Sequence, residues 1–152
     1  MIDINEQLLM AWLRLSSTIN NERIVSNLSF NEALVCDVLY YRNMMGVEEQ
    51  WTATDLCRLT HMHKTLMNRT LKSLEKKQII LREPDPTDKR KFFLGINPKN
   101  FQTFLEVHEE TLKLVRNITK LIGQEETKAA TESFHRVAEA VDSIIYKKGE
   151  EK

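Results

Sequence analysis

The chain has 152 residues, and its 22 Lys and Arg residues balance 22 Asp and Glu residues, so its formal net charge is zero. With 41% hydrophobic and 29% charged residues it has the composition of a globular domain, not of a disordered or fibrous protein. Two cysteines are too few for a disulfide framework. No secretory segment or apolar run long enough to span a membrane is visible. We therefore expect one reduced, cytoplasmic domain with no membrane partner.

The charge is unevenly distributed along the chain. Residues 52–95 hold 10 basic and 5 acidic residues, a net charge of +5, whereas residues 1–51 have a net charge of −4 and residues 96–152 of −1. A basic segment between acidic flanks favours a polyanionic partner. Ordinary variation of surface charge is the alternative.

The first 45 residues predict two helices. Apolar residues recur at helical spacing from Leu8 to Ile19, and the pattern stops near residues 20–21. Ser29 and Glu32 have the spacing of a capping box, which predicts the start of a second helix. That helix is expected to end near Met44, where the apolar period breaks.

Two short helices are predicted next, with a tight joint between them. Thr52 and Asp55 repeat the helix-start signal before a short third helix. Met67, Leu71 and Leu74 then mark a fourth helix, expected over about residues 63–77. This arrangement predicts a helix-turn-helix.

A β-hairpin and two long helices complete the predicted order. From Ile79 the pattern alternates with period two, which places Ile79 and Ile80 on opposite faces of a strand. The turn residues 84–88 separate it from a second strand that ends at residue 96. Asn97 and Pro98 start a long helix that Gly123 can end, and a last helix follows. The fold class is mainly α with a small β-hairpin wing.

The fourth helix has one apolar and one basic face. With Met67, Leu71 and Leu74 on the apolar face, a 100° rotation per residue places polar and basic side chains on the opposite face. These side chains are Thr65, Asn68, Arg69, Lys72 and Lys76. Arginine can bind guanine, asparagine can bind adenine, and lysine or threonine can reach phosphates or base edges. The face suits a DNA major groove, although many solvated amphipathic helices share the pattern.

The hairpin tip strengthens the DNA interpretation and carries a family resemblance. Asp88-Lys89-Arg90-Lys91 lies at the tip, where an arginine can enter a minor groove. The run 74–77, Ile79-Ile80, Arg82, Asp88-Lys89-Arg90 and residues 94–98 resembles the MarR family of winged helix-turn-helix regulators. The order of the predicted helices and the hairpin extends the resemblance over nearly the whole chain.

The resemblance implies a homodimer that binds double-stranded DNA. One MarR-like domain spans 1–152, with a DNA-binding lobe at 29–96 and helical dimerisation regions at 1–28 and 97–152. The apolar stripes at 101–122 and 130–145 agree, because they are too long for the small core beneath them. A two-fold dimer predicts inverted half-sites about 10 to 10.5 base pairs apart.

The resemblance also assigns roles to particular residues. It implies a fourth helix in the major groove and a wing, at about 79–96, in the minor groove. The expected DNA-binding residues are Lys64, Thr65, Asn68, Arg69, Lys72, Lys89 and Arg90. Arg82 and Asp88 are expected to support the wing.

Several positions depart from the family pattern. Gln78 stands where the family usually has a glycine with a positive φ, so either Gln78 adopts that conformation at a cost or the turn differs. His63 is a weaker helix cap than the usual Asp or Ser. Asn97 stands where the family commonly has Thr, and asparagine should cap a helix at least as well as threonine. Asn100 replaces a frequent Gly.

The signal that such a regulator senses is less defined in the sequence. A small aromatic or hydrophobic effector is a candidate ligand, with a core role for the aromatic residues of its pocket as the alternative. The candidate pocket residues are Trp12, Tyr40, Tyr41, Met44 and Trp51. Peroxide sensors of the family have their reactive cysteine in the first helix, which contains no cysteine here, so Cys36 and Cys57 are expected to be buried apolar residues. No histidine pattern supplies a full set of metal ligands. We expect neither a metal nor a cofactor.

Three classes of function remain to be weighed. The leading hypothesis is a sequence-specific DNA-binding regulator, with repression as the expected sign. The alternative is a winged-helix module that binds a protein and no specific DNA. An enzyme is disfavoured because Gly-rich phosphate loops, GxSxG and HExxH are absent and no catalytic residues can be named.

Overall fold

The structure is a computed structural model that describes residues 1–21 and 28–150, with the backbone alone for residues 19–21 and 146–150. The elements follow the predicted order of helices with one hairpin between the fourth and fifth. They are α1 (Ile4–Asn21), α2 (Phe30–Met44), α3 (Ala53–Thr60), α4 (Lys64–Lys76), β1 (Ile80–Pro84), β2 (Phe92–Ile96), α5 (Phe101–Ile122) and α6 (Gln124–Glu150). The mainly α fold with a β-hairpin is confirmed.

The chain forms two compact units, Met1–Thr111 and Leu112–Lys152. The first unit contains α1 to α4, the hairpin and the first half of α5, and the second contains the rest of α5 and α6. In the ranges described, no helix combines the length and the hydropathy that crossing a membrane requires.

The core of the first unit lies between α2, α3, α4, the hairpin and the start of α5. Leu56 of α3 is fully buried. The predicted apolar face of α4 is confirmed, since it buries Met67, Leu71 and Leu74 completely. Phe104 of α5 is only 1% exposed and packs among aromatic side chains. Burying such side chains stabilises the lobe by about 1.5–3 kcal/mol each.

Both predicted capping boxes are present. At the start of α2 the Ser29 hydroxyl accepts from the Glu32 N–H, and the Glu32 carboxylate accepts from the Ser29 N–H at 2.7 Å. At the start of α3 the Thr52 N–H and hydroxyl each donate to the Asp55 carboxylate at 2.8 Å. Burial alone would raise the pKa of Asp55, but these hydrogen bonds lower it. The caps fix where both helices begin.

The turn after α4 contains Gln78 at the position where the family usually has a glycine. Gln78 has φ +57°, so it adopts the left-handed conformation usually taken by glycine. Its N–H donates to the Glu75 carbonyl at 2.9 Å, and the Ile79 N–H donates to the Leu74 carbonyl at 3.0 Å. These two bonds form a Schellman motif, whose hydrophobic contact is supplied by buried Leu74 and Ile79. Gln78 thus makes the turn that glycine usually makes, at a backbone cost of about 1–2 kcal/mol.

Replacing Gln78 with glycine is therefore expected to stabilise the protein by about 0.5–1 kcal/mol. Glycine relieves the backbone strain but regains entropy in the unfolded chain, so the net gain is smaller than the strain itself. Urea unfolding at fixed protein concentration measures the difference. Gln78→Ala is the control, since alanine keeps the strain and should not stabilise. Equal or lower stability of Gln78→Gly would show that the strain is no larger than the entropy that glycine returns to the unfolded chain.

The hairpin begins one residue later than its alternation pattern predicted. β1 and β2 are antiparallel, with Ile80 opposite Ile96 and Pro84 opposite Phe92. Ile79 and Ile80 are both 2% exposed, so the prediction that they lie on opposite faces of a strand is wrong. Ile79 belongs to the cap of α4, which turns its side chain into the core before the strand starts.

Large apolar side chains remain exposed on the helices outside the lobe. On α1 the predicted stripe includes Leu8 and Trp12, which are more than half exposed. Within the second unit, α5 and α6 expose further apolar side chains: Leu114, Val115, Ile118, Leu121, Ile122, Phe134, Val137, Ile144 and Ile145. Exposed apolar side chains in this number favour an interaction of these helices with another molecule.

Candidate nucleic-acid interface

The second helix of the helix-turn-helix presents a polar and basic surface. α4 follows α3 after three residues, of which Met62 is buried and His61 adopts φ +56°. His63 is the N-cap of α4 and makes no side-chain cap hydrogen bond, as its weak capping ability predicts. The predicted contact residues Lys64, Thr65, Asn68, Arg69 and Lys72 are all exposed on α4.

One polar residue of α4 is turned away from that surface. Thr70 is 5% exposed, and its hydroxyl donates to the Leu66 carbonyl at 2.9 Å within the same helix. The inner face is otherwise apolar, with Met67, Leu71 and Leu74 fully buried. Burial on one side leaves the opposite side of α4 available to a ligand along its whole length.

The tip of the hairpin is held by two aspartates. The Asp85 carboxylate accepts the N–H and the hydroxyl of Thr87, both at 2.7 Å, and these hydrogen bonds lower the pKa of Asp85. The Asp88 carboxylate accepts the Arg90 N–H at 3.0 Å. Asp88 thus contacts the backbone of the residue predicted to enter the minor groove. Lys89 and Arg90 are exposed at the tip.

Contacts between the hairpin and α4 join the two basic surfaces. The Arg82 Nε of β1 donates to the Glu75 carboxylate of α4. At the far end of β2, the Asn97 and Asn100 side chains donate to the Gln78 carbonyl at 2.7 and 3.2 Å. These hydrogen bonds join the hairpin to α4, so the exposed basic face of α4 and the wing belong to one lobe.

Asn97 caps the segment that follows the hairpin, as predicted. Its side chain accepts the Lys99 N–H at 3.1 Å, and Pro98 occupies the first position of a short 3₁₀ turn. α5 begins only after this turn, at Phe101. The Asn97 side chain also contacts Gln78, a tertiary contact that the sequence pattern does not reveal.

Trp51 adds a third backbone segment beside the hairpin. Its carbonyl accepts the Leu94 N–H of β2 at 2.8 Å. The Arg42 guanidinium lies 5.6 Å from the centre of the Trp51 ring, a cation–π distance. Trp51 is therefore part of the base of the wing.

The other candidate effector residues lie in different surroundings. Tyr40 packs against Phe101, Phe104 and His108 at ring-centre distances of 5.1 to 5.9 Å. Tyr41 is 6.1 Å from the His108 ring and about half exposed. Trp12 and Met44 are exposed by 54% and 65%. Within the described ranges, ring contacts join the two tyrosines but do not join either tryptophan to them.

His108 is a structural histidine. Its Nδ1 lies 3.0 Å from a carboxylate oxygen of Asp37 on α2. Burial raises the pKa of Asp37, against the opposing effect of this histidine. The part of the chain that the structure describes contains no group of three or more residues able to hold a metal ion.

The cysteines occupy core positions. Cys36 is fully buried, and burial, reinforced by the nearby carboxylates of Asp37 and Glu32, raises the pKa of its thiol to about 12. Cys57 is partly buried and packs against the core, and burial raises its pKa as well. The prediction of an apolar, packed role is confirmed for Cys36, whose thiolate is scarce at neutral pH.

Together these elements define a winged helix-turn-helix protein. A family model described as MarR family matches residues 35–91. This range runs from α2 through the helix-turn-helix to the wing tip, and it contains the motif on which the sequence resemblance rests, except for residues 94–98. Residues 35–91 are therefore similar to the MarR family. No curated protein matches the sequence.

Solved structures of transcriptional regulators share the fold. The PcaV regulator of Streptomyces coelicolor, in complex with its natural ligand, is 13% identical, with coverage of 93% of this chain and 98% of that one and a TM-score of 0.70. The BldR regulator of Sulfolobus solfataricus is 23% identical, with coverages of 92% and 99% and a TM-score of 0.70. A substituted MepR of Staphylococcus aureus bound to an oligodeoxyribonucleotide is 12% identical, with coverages of 93% and 99% and a TM-score of 0.53.

Proposed function

We propose that this protein is a sequence-specific DNA-binding transcriptional repressor, with α4 in the major groove and the wing in the minor groove. The observation that carries the proposal is the exposed face of α4, which presents Asn68, Arg69 and Lys72 on the same lobe as the basic wing tip. The family match and the fold of known transcriptional regulators support it.

The chemistry of the exposed side chains divides the proposed contacts into two groups. Arg69 can bind guanine through two hydrogen bonds, and Asn68 can bind adenine in the same way. Lys64, Lys72 and Lys89 suit phosphates, which set affinity and register rather than sequence preference. Arg90 suits a narrow minor groove, where the negative potential is strongest.

We propose further that the protein binds an inverted-repeat operator as a homodimer. The exposed apolar residues of α1, α5 and α6 favour a second copy of this chain as the covering surface. Two lobes related by a two-fold axis would contact half-sites about 10 to 10.5 base pairs apart. An inverted repeat matches that symmetry.

A small aromatic or hydrophobic effector is proposed as the signal that releases the DNA. The rings of Tyr40 and Tyr41 lie beside His108 and are within reach of solvent, since Tyr41 is about half exposed. PcaV, which shares the fold, was solved with its natural ligand. Such a ligand would act by binding one arrangement of the lobes better than the other.

Fluorescence anisotropy tests the DNA-binding proposal. We expect a duplex from upstream of the protein's own gene, or the best duplex from a random-sequence selection, to bind far more tightly than a scrambled duplex. The logarithm of affinity should fall with the logarithm of salt concentration by about 0.9 per phosphate contact. Equal, weak binding of both duplexes would favour the alternative function, a winged-helix module for a protein partner.

A further inference from the structure

One buried carboxylate connects two helices of the lobe. Glu32 lies in the first turn of α2 and is only 4% exposed. Its carboxylate accepts from the Ser73 hydroxyl at 2.5 Å and from the Lys77 ammonium at 2.8 and 2.9 Å. Ser73 and Lys77 lie at the C-terminal end of α4 and its cap, 41 and 45 residues away along the chain. The cluster of Glu32, Ser73 and Lys77 is here called the α2–α4 clamp.

The Glu32 carboxylate is ionised at neutral pH, and the Lys77 ammonium balances its charge. Burial alone would raise the pKa of Glu32, but hydrogen bonds from Lys77, Ser73 and the Ser29 N–H lower it below the usual value. The Lys77 side chain is 40% exposed, so the cation keeps contact with solvent while the carboxylate does not. An ionised carboxylate that accepts several hydrogen bonds in this way is a strong and directional anchor.

The clamp holds α4 at the edge of its proposed DNA-facing surface. At 100° per residue, Arg69 and Ser73 are separated by about 40° around the helix axis, and Ser73 and Lys77 by another 40°. Ser73 and Lys77 therefore lie between the apolar face and the face that presents Arg69. A bond at this flank resists rotation of α4 about its own axis, and such a rotation would move the Arg69 side chain.

Apolar packing restrains that rotation less strictly. Met67, Leu71 and Leu74 bury the opposite face of α4, but contacts between apolar side chains are not directional. Arg82 and Glu75 join α4 to the wing and not to α2. Among the contacts described for α4, the clamp is thus the directional connection to α2.

We propose that Glu32 is a positioning residue for DNA recognition, acting through Ser73 and Lys77 to fix the rotation of α4. The inference rests on the proposed DNA-binding function and adds to it a residue that touches no DNA. It predicts that breaking the clamp reduces the preference for the specific sequence, in addition to any effect on overall affinity. A misaligned α4 still meets phosphates, whereas base contacts require correct geometry.

The test compares Lys77→Met with the matched variant Lys99→Met, which lies outside the proposed DNA-binding surface. Both substitutions remove one exposed positive charge, but only Lys77 contacts Glu32. Ser29→Ala is a second control, because it removes the α2 cap contact at Glu32 and leaves the clamp. Circular dichroism melts first establish a temperature at which all variants are folded. The measured quantity is the ratio of dissociation constants for a scrambled duplex and for the best duplex from a random-sequence selection.

We expect Lys77→Met to lower this ratio by about 5-fold or more, the loss of roughly 1 kcal/mol of base discrimination. Lys99→Met and Ser29→Ala should leave the ratio within about 2-fold of the unsubstituted protein. Lys77→Arg, which keeps a cation that can bond the carboxylate, should restore it.

An unchanged ratio for Lys77→Met, or equal reductions for Lys77→Met and Lys99→Met, would overturn the positioning role while leaving the DNA-binding function intact. A third result has a different meaning. If the unsubstituted protein itself shows no preference for any selected duplex, the proposed function fails, and the positioning inference fails with it. The two failures are therefore distinguishable in one experiment.

Discussion

Replacing Arg69 with alanine is expected to weaken binding to the specific duplex by about 5- to 150-fold, which corresponds to about 1–3 kcal/mol. Arg69 is exposed on α4, whose opposite face is buried in the core. A guanidinium in this position can form two hydrogen bonds with guanine, and alanine can form none. Because Arg69 is exposed, the substitution should leave the free energy of unfolding within about 0.5 kcal/mol of its original value.

The expected pattern of loss distinguishes Arg69 from the wing. Arg69→Ala should relax the preference at one base position in each half-site, whereas Arg90→Ala should weaken the preference for a narrow minor groove. Arg136→Ala, which removes an exposed guanidinium from α6, is the control and should change neither preference. Anisotropy titrations against a panel of single-base variants measure these effects. A loss that is uniform across all duplexes would assign Arg69 to a phosphate.

The second large effect is expected at Phe104, where alanine should destabilise the protein by about 3–5 kcal/mol. Phe104 is 1% exposed and its ring lies 5.4 to 6.2 Å from the rings of Tyr40, Phe101 and His108. Removing it deletes the centre of the contact between α2 and α5. Alanine would leave a cavity that its neighbours can fill only in part.

Urea unfolding at fixed protein concentration measures this loss, because the proposed homodimer would make stability depend on concentration. Phe92→Ala is the matched control, because Phe92 of β2 is 42% exposed and should contribute much less. Phe104→Leu keeps most of the volume and should cost less than about 1.5 kcal/mol. If Phe104→Ala costs no more than Phe92→Ala, then Phe104 is not the centre of the core.

Local sequence signals predicted the elements of this fold well. The capping boxes at Ser29 and Thr52 place the starts of α2 and α3, and each signal spans only four residues. The end of α4 was harder to predict, because Gln78 adopts a positive φ that its residue type disfavours. The surrounding hydrogen bonds and the burial of Ile79 impose that conformation. Because Ile79 belongs to the cap of α4, the strand begins at Ile80, although the alternating pattern begins at Ile79.

The contacts that connect the elements could not be predicted from local patterns. Glu32 was recognised as a capping residue, but its bond to Lys77 crosses 45 residues and depends on how α2 and α4 pack. The bond between Arg82 and Glu75 likewise depends on the direction in which the hairpin leaves α4. A single sequence records the residue types at these positions and not the distances between them.

The aromatic residues show a further limit of sequence patterns. Tyr40 and Trp51 are close in the sequence, yet Tyr40 packs with α5 and Trp51 bonds to the wing. The sequence around Tyr40 and Trp51 predicts neither the contact of Tyr40 with α5 nor the bond of Trp51 to the wing, because both contacts arise from tertiary packing. A ligand pocket inferred from such residues therefore stays a prediction, whereas the exposed face of α4 follows directly from its apolar period.

The measurement that most directly tests DNA recognition by this lobe is selection from a random-sequence duplex library, performed in parallel with the unsubstituted protein and with Arg69→Ala. We predict enrichment of an inverted repeat with half-sites about 10 to 10.5 base pairs apart, and loss of one conserved base in each half-site with Arg69→Ala. A library that shows no enriched sequence at low salt, with a protein that is folded, would contradict the account.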